Sequence, residues 1–214
     1  MNCTLCNSKL TVRVGQKYFA CNTCDARLMD SIFWPSAKEE KKHYERHNND
    51  VNDPRYQNFT SPISDYVLKN FTAESIGLDF GSGTGPVISK VLQDSGYRIN
   101  QYDPFFAADK TALKIQYDYI VSCEVIEHFY SPGKEFETLK KLLKPNGKLI
   151  CMTLLYREEI KFENWYYKND PTHVFFYSEK TVNFIRNKFS FKSSEVFGDR
   201  MVLWTNEEWD VFKY

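Results

Sequence analysis

The chain has 214 residues, with 28 basic against 28 acidic side chains, 42% hydrophobic and 16% aromatic. That composition excludes a disordered or strongly basic polyanion-binding protein and suffices for one substantial α/β domain with a small appendage. No run approaches the ~20 apolar residues of a membrane helix, and the first residues are polar and cysteine-containing rather than a basic-then-apolar leader, so a cytoplasmic setting without membrane insertion is expected.

From the N-terminus, Cys3-x-x-Cys6 and Cys21-x-x-Cys24 form two knuckles around a hairpin-like stretch through Val12, Val14, Tyr18 and Phe19. This is zinc-ribbon spacing, and four thiolates make a closed tetrahedral site, so Cys3, Cys6, Cys21 and Cys24 are expected to hold a structural zinc. Disulfides are the competing reading, disfavoured in a reducing compartment. A module over residues 1–35 is too small to fold on apolar burial alone, so the metal is expected to supply folding energy.

Residues 36–61 read as a helical linker: Ser36 to His47 is charged and helix-favouring, with His43 and His47 at i, i+4. A solvated connecting helix competes with a strap over the next domain. The pattern Tyr44-x-x-His47-Asn48 followed by Asp53-Pro54-x-Tyr56-x-x-Phe59 is too irregular for a spacer alone and could fold over the next domain, which leaves open whether His47 or Asn48 reaches a cleft.

From residue 62 to 214 strands and helices alternate, the pattern of a doubly wound, mostly parallel α/β sheet. Ser75 to Phe80 reads as a buried strand and Val87 to Asp94 as a helix. Between them Gly81, Ser82, Gly83 and Gly85 form a turn that can bring bare backbone amides against a ligand. A dinucleotide fingerprint would place its third glycine at position 86, where Pro86 stands, which argues against a pyrophosphate-binding enzyme. The next strand, through Tyr97, Ile99 and Gln101, ends at Asp103, placed 22 residues after Gly81 to accept hydrogen bonds from ribose hydroxyls. A third strand is poorly marked, with Leu113 to Ile115 the one candidate, and Phe105, Phe106, Ala107 and Asp109 are weak candidates for a base pocket.

Tyr117 to Ser122 reads as the following strand and runs into Cys123, Glu124, Glu127 and His128, which should face the same crevice. His128 titrates near neutrality and is the acid/base candidate, with Glu124 and Glu127 behind it; packing under the next helix is its bland alternative. Cys123 and Cys151 read as buried small residues, with Cys123 near enough to the crevice to touch a ligand. Helices from Ser131 and Ser178, a strand over 148–155 and a terminal hairpin around 191–197 and 201–205 complete the pattern. An aromatic loop, Trp165 to Tyr177, carries His173, a candidate to orient or deprotonate an acceptor.

The spacing D-x-G-x-G-x-G, with LDFGSGTGP, YDPFF, EVIEHF and DPTHVFFY, resembles a bacterial family of class I S-adenosylmethionine-dependent methyltransferases carrying an N-terminal four-cysteine ribbon. The resemblance covers nearly the whole chain. It implies a Rossmann-like fold, with Asp79, Gly81, Gly83 and Gly85 along the methionine part of S-adenosylmethionine, Asp103 at its ribose, and Ser82 and Cys123 nearby. It implies methyl transfer without fixing the acceptor, since related enzymes modify quinones, sugars, small metabolites or ribosomal RNA; the aromatic loop suits a small organic acceptor, with O-, N- and C-methylation open. An RNA-modifying enzyme guided by the ribbon, or a non-catalytic module with a vestigial pocket, are the alternatives; the balanced charge disfavours nucleic acid.

Overall fold

The structure, a computed structural model, describes residues 1–46 and 49–207. Its central sheet has six strands in the order β5-β4-β6-β7-β10-β9. In chain order these are β4 (Ile76–Phe80), β5 (Arg98–Tyr102), β6 (Tyr117–Cys123), β7 (Leu143–Met152), β9 (Ser193–Phe197) and β10 (Met201–Thr205). The first four run parallel, and β10 is antiparallel to both β7 and β9. Both faces are covered, which is why β4 and β6 read as nearly unbroken apolar runs.

Alternation along the strands sorts side chains between two cores. Leu78, Ile120, Leu149, Cys151, Val202 and Trp204 face α4 (Pro132–Leu142) and α5 (Glu179–Lys188) through Phe136, Leu139, Val182 and Ile185. Tyr119, Val121, Ile150, Met152, Met201 and Leu203 face the other layer, built by α2 (Pro54–Asn70) and α3 (Val87–Asp94). Leaving β4, the chain turns first to β5 on one side and then crosses to β6 on the other. The carboxyl ends of β4 and β6 therefore flank a topological switch point, where open parallel sheets bind ligands.

The candidate third strand does not form: Lys110–Lys114 is a 3-10 turn capped by Asp109, and β5 is the sheet's edge. Only residues 103–116 join β5 to β6. A single parallel crossover takes a dozen or more residues, so an additional strand has no room.

The boundary expected between residues 61 and 62 falls inside α2. Asp53 caps this helix by accepting from the Arg55 amide at 2.8 Å, Pro54 occupies its first turn, and Ile63 and Val67 are fully buried against the sheet. The second half of the linker is thus the start of a core helix. Its first half is α1 (Ala37–Tyr44), closed by a capping box between Ser36 and Glu39.

The N-terminal hairpin forms as expected, β1 (Val12–Val14) against β2 (Tyr18–Ala20), and continues into β3 (Arg27–Met29). The fourth strand of this small sheet comes from the far end of the chain: β8 (Phe175–Phe176) pairs with β3, with Arg27 opposite Phe176 and Leu28 opposite Phe175. The Tyr18 hydroxyl donates to the Lys168 carbonyl at 3.1 Å, and the Arg27 guanidinium lies 3.6 Å over the Tyr156 ring. Residues 1–35 are therefore welded to the aromatic loop.

Candidate active site

At the switch point lies a cavity of about 730 Å3, within the range of small-molecule sites. One wall is the glycine turn. Gly81 (φ 81°) and Gly83 (φ 63°) are left-handed, and a Cβ on Gly81 would lie 2.5 Å from Val125 Cγ1. The Cβ position on Gly83 meets nothing within 4 Å, so this face of the turn is uncrowded, but the amides expected to be bare are paired: those of Gly81 and Ser82 donate to the Tyr102 carbonyl at 2.7 and 3.3 Å, and that of Gly83 to Asp103. Ser82 Oγ, also on this wall, is buried without a hydrogen-bond partner among the described residues.

Asp103 lines the cavity beside this turn. Its Oδ2 accepts from the Gly83 amide at 3.1 Å, and Oδ1 accepts from the amides of Phe105 (2.8 Å) and Phe106 (3.0 Å). Phe105 and Phe106 are also on the wall. Ala107 instead closes a backbone bridge to Asp103, and Asp109 caps the 3-10 turn.

Two residues assigned to the cofactor in the sequence are not among those lining the cavity. Asp79 sits behind the turn and accepts from Ser89 Oγ on α3 at 2.8 Å; burial pushes its carboxyl up to about 6. Gly85 makes room for protein: a Cβ there would lie 1.9 Å from the Asn49 carbonyl oxygen. Asn49 also donates to Thr84 Oγ1 at 3.1 Å, so the chain between α1 and α2 does strap the turn. His47 and Asn48, the expected strap residues, lie outside the described residues. Glu40 and Tyr44 from α1 and Tyr56 and Phe59 from α2 complete this side.

The opposite wall follows β6. Cys123 is half-buried on it, its thiol pushed up well above the ordinary value by burial. Glu124 holds a left-handed backbone (φ 51°), uncommon for a residue with a side chain and typical of functional walls. Its Oε2 accepts from the Tyr167 hydroxyl at 3.0 Å and its Oε1 from Arg200 Nη1 at 3.3 Å. The same Tyr167 hydroxyl contacts Oε1 of Glu127, which is fully buried and whose Oε2 has no partner among the described residues. Burial pushes both carboxyls up, and repulsion from Glu127 raises Glu124 further. One hydroxyl proton serves two carboxylates, so the pair favours holding an extra proton.

His128 and His173 meet edge to face, ring centroids 4.8 Å apart, and both line the cavity. His128 Nδ1 is 2.9 Å from the Thr172 carbonyl and His173 Nδ1 is 2.7 Å from the Tyr167 carbonyl. A carbonyl only accepts, so each Nδ1 carries hydrogen and, in the neutral ring, Nε2 keeps the lone pair. Both rings favour the neutral form: burial lowers His128, and burial followed by the neighbouring His128 pushes His173 down to about 4.

The loop that positions them is pinned by Asp170. Burial alone would raise its carboxyl, but hydrogen bonds from Thr172, with His173 and His43 beside it, hold it down to about 2. His43 Nε2 donates to Asp170 Oδ2 at 3.0 Å, which ties α1 to the loop. The sequence reading left Asp170, Tyr167, Glu40 and Arg200 without a role in the cleft. The Asp-Pro-Thr-His string signals a capped turn for Asp170; no local pattern signals the other three.

At the opposite end of the N-terminal sheet, Sγ atoms of all four ribbon cysteines gather within 4.8 Å of one another. Cys3 and Cys24 stand 3.6 Å apart and Cys6 and Cys21 3.4 Å, far beyond a bonded ~2.05 Å pair and near the ~3.8 Å edge of a tetrahedron with 2.3 Å metal–sulfur bonds. Each knuckle ends on a left-handed residue, Asn7 or Asp25, whose amide donates to the carbonyl of the first cysteine at 2.8 Å.

A family model described as a methyltransferase domain matches residues 31–192. The chain belongs to this methyltransferase domain family. Among curated proteins, the methyltransferase is 32% identical over 82 residues to a ubiquinone biosynthesis O-methyltransferase of Cereibacter sphaeroides, a stretch covering 38% of this chain and 33% of that one. The corresponding protein of Ruegeria pomeroyi is 33% identical over 82 residues, again 38% and 33% of the two chains. The match thus spans about a third of those relatives' length. Among solved structures, human N-acetylserotonin methyltransferase, in complex with SAM, superposes with TM-score 0.54 at 12% identity over 80% of this chain and 57% of that one. The methyltransferase domain of the citrinin polyketide synthase gives 0.52 at 10% identity over 81% and 58%. At such identities these likenesses show the Rossmann-like class I methyltransferase fold. Among the described residues no helix is long and apolar enough to cross a membrane.

Proposed function

We propose that this methyltransferase moves the methyl group of S-adenosylmethionine to a hydroxyl oxygen of a small organic acceptor. The observation that carries the reading is one cavity joining an uncrowded glycine turn, with the orphaned Ser82 hydroxyl beside it, to two imidazoles whose Nδ1 atoms face backbone carbonyls and leave Nε2 to carry the lone pair. Gly81 to Gly83 and Asp103 would hold the amino-acid and ribose portions of the donor, and Phe105 and Phe106 would flank its base. Bound there, the donor supplies a methyl group on a positively charged sulfur. The wall suits that charge: it includes the carboxylates of Glu40, Asp103 and Asp170 and, among the described residues, no lysine or arginine.

The acceptor hydroxyl then sits against His128 and His173 and gives up its proton there as its oxygen bonds to the methyl carbon and the carbon–sulfur pair returns to sulfur. Aromatic walls from Tyr44, Tyr56, Phe59 and Tyr130 fit an aromatic ring, on which a phenolic hydroxyl would supply the oxygen nucleophile. The ribbon cysteines would hold a structural zinc, their four sulfurs leaving no position for substrate.

Calorimetry with S-adenosylmethionine tests the reading. Saturable heat is expected from the wild type and from His128→Gln, and weakened heat from Gly83→Val. Label from a methyl-tritiated donor should enter a panel of phenols with the wild type and not with His128→Gln. Absence of donor binding to the folded wild type refutes it.

A further inference from the structure

Besides the four cysteines, one other set of metal-binding side chains converges among the described residues, at the acceptor end of the cavity. One ligand atom from each of Glu127, His128 and His173 lies within 4.8 Å of the others. Ligand atoms about 2.1 Å from a shared ion stand roughly 3.0–3.5 Å apart, so the cluster is a closing movement of about an ångström from coordination. Three further features match a metal centre. Both imidazoles are oriented from behind by Nδ1–H bonds to backbone carbonyls of Thr172 and Tyr167, the outer-shell contact that metal-bound histidines make. The carboxylate of Glu127 is fully buried: Oε1, braced by Tyr167, lies 3.9 Å from His173 Nε2, and Oε2 lacks any partner among the described residues, a cost that a cation held by this carboxylate reduces. And His128 and His173 line the cavity, so an ion on them would keep positions open on the substrate side, as catalytic centres do.

We propose that Glu127, His128 and His173 bind one divalent transition-metal ion and that the acceptor's hydroxyl oxygen docks on it beside the methyl donor. The docking half rests on the methyl-transfer reading above; the ion site does not. Two imidazoles and one carboxylate suit zinc, manganese, iron or cobalt in the divalent state better than magnesium or calcium, which favour all-oxygen shells. Ligation acidifies the hydroxyl, its proton leaves to solvent, and the resulting metal-held oxygen keeps its charge and its aim until it bonds to the methyl carbon. The histidine pair is then the place where the proton is lost, acting through the ion. No electron changes hands.

The test uses the full chain with its ribbon metal in place and Co2+ as the probe, followed by visible absorption and calorimetry. Expected is one saturable equivalent with weak d–d bands and no thiolate charge-transfer band, or, where metal co-purifies, one ion per chain beyond the ribbon's. His128→Gln and His173→Gln, prepared separately so that one misfolded variant does not decide the matter, should each weaken cobalt binding by more than the roughly 10–100-fold that loss of an outer-shell partner causes. Near-ultraviolet circular dichroism reports whether each variant is folded. No saturable uptake by the wild type, or uptake unchanged in both folded variants, overturns the ion site. If S-adenosylmethionine still binds and His128→Gln still abolishes label transfer, the methyl-transfer reading stands without the ion; if cobalt binds and the donor does not, the reverse holds.

Discussion

Asp79 is a buried carboxylate with one short hydrogen bond, from Ser89, and no cation among its close partners. Burial pushes it from an ordinary 3.8 up to about 6. Because the folded-state value is the higher one, the native state binds the proton more tightly than the unfolded chain does. The stability this contributes is fully present below about pH 3.8 and is lost as pH rises through about 6. At ~1.36 kcal/mol per tenfold change in proton affinity, the move from 3.8 to about 6 makes the ionised side chain a liability of about 3 kcal/mol at pH 7. Asp79→Asn removes the titration while keeping an acceptor for Ser89. Urea unfolding of both proteins between pH 4 and pH 8 should show the variant's stability relative to the wild type rising by about 2 kcal/mol across that interval, the rest of the difference being lost already at pH 4, where the unfolded chain's aspartate is more than half ionised. A difference that stays level with pH, or that falls, refutes the reasoning.

Tyr167→Phe leaves the buried Glu127 and the half-buried Glu124 without their shared donor and should lower unfolding stability by about 1–3 kcal/mol; thermal and urea unfolding check it. Gly81→Ala combines a left-handed backbone with the clash against Val125 and should cost more stability than Gly83→Ala, whose Cβ would meet open space; both are read by the same unfolding assay. Ser178→Ala removes the capping box of α5 and the bond from Ser178 Oγ to Asp25, and should cost about 1–2 kcal/mol. Cys21→Ser should abolish the ribbon metal measured by elemental analysis and raise amide exchange in β8 as well as in β3, since the two strands are paired.

What the sequence made legible were features written locally. The glycine turn, the capped helix at Ser178, the apolar strands β4 and β6 and the terminal hairpin each occupy a few neighbouring residues and appear where expected, whereas the strand expected over 148–155 runs from Leu143 to Met152, taking in the Lys-Pro-Asn-Gly stretch. The poorly marked third strand is absent because the connection is short, a fact visible in residue spacing. Position within a motif proved a weaker guide to orientation. Asp79 lies one pleat from where it would enter the cavity and turns to Ser89, while Gly85 spares space for Asn49 rather than for a ligand. Partnerships across long separations were invisible: Tyr167 with Glu124 and Glu127, Asp170 with His43, and β8 with β3 depend on the tertiary path and leave no periodic trace.

The pairing of β3 with β8 also constrains how the chain is made. Arg27 leaves the ribosome well before Phe176, its partner, exists. At roughly 5–20 residues per second the edge of the N-terminal sheet waits about 7–30 s for its last strand. During that interval a two-residue length of unpaired backbone, flanked by the exposed side chains Ile32 and Phe33, is presented to whatever the nascent polypeptide meets. Were the four cysteines to capture a metal early, the emerging module would hold its shape through that delay, and the ion would serve assembly before any turnover begins.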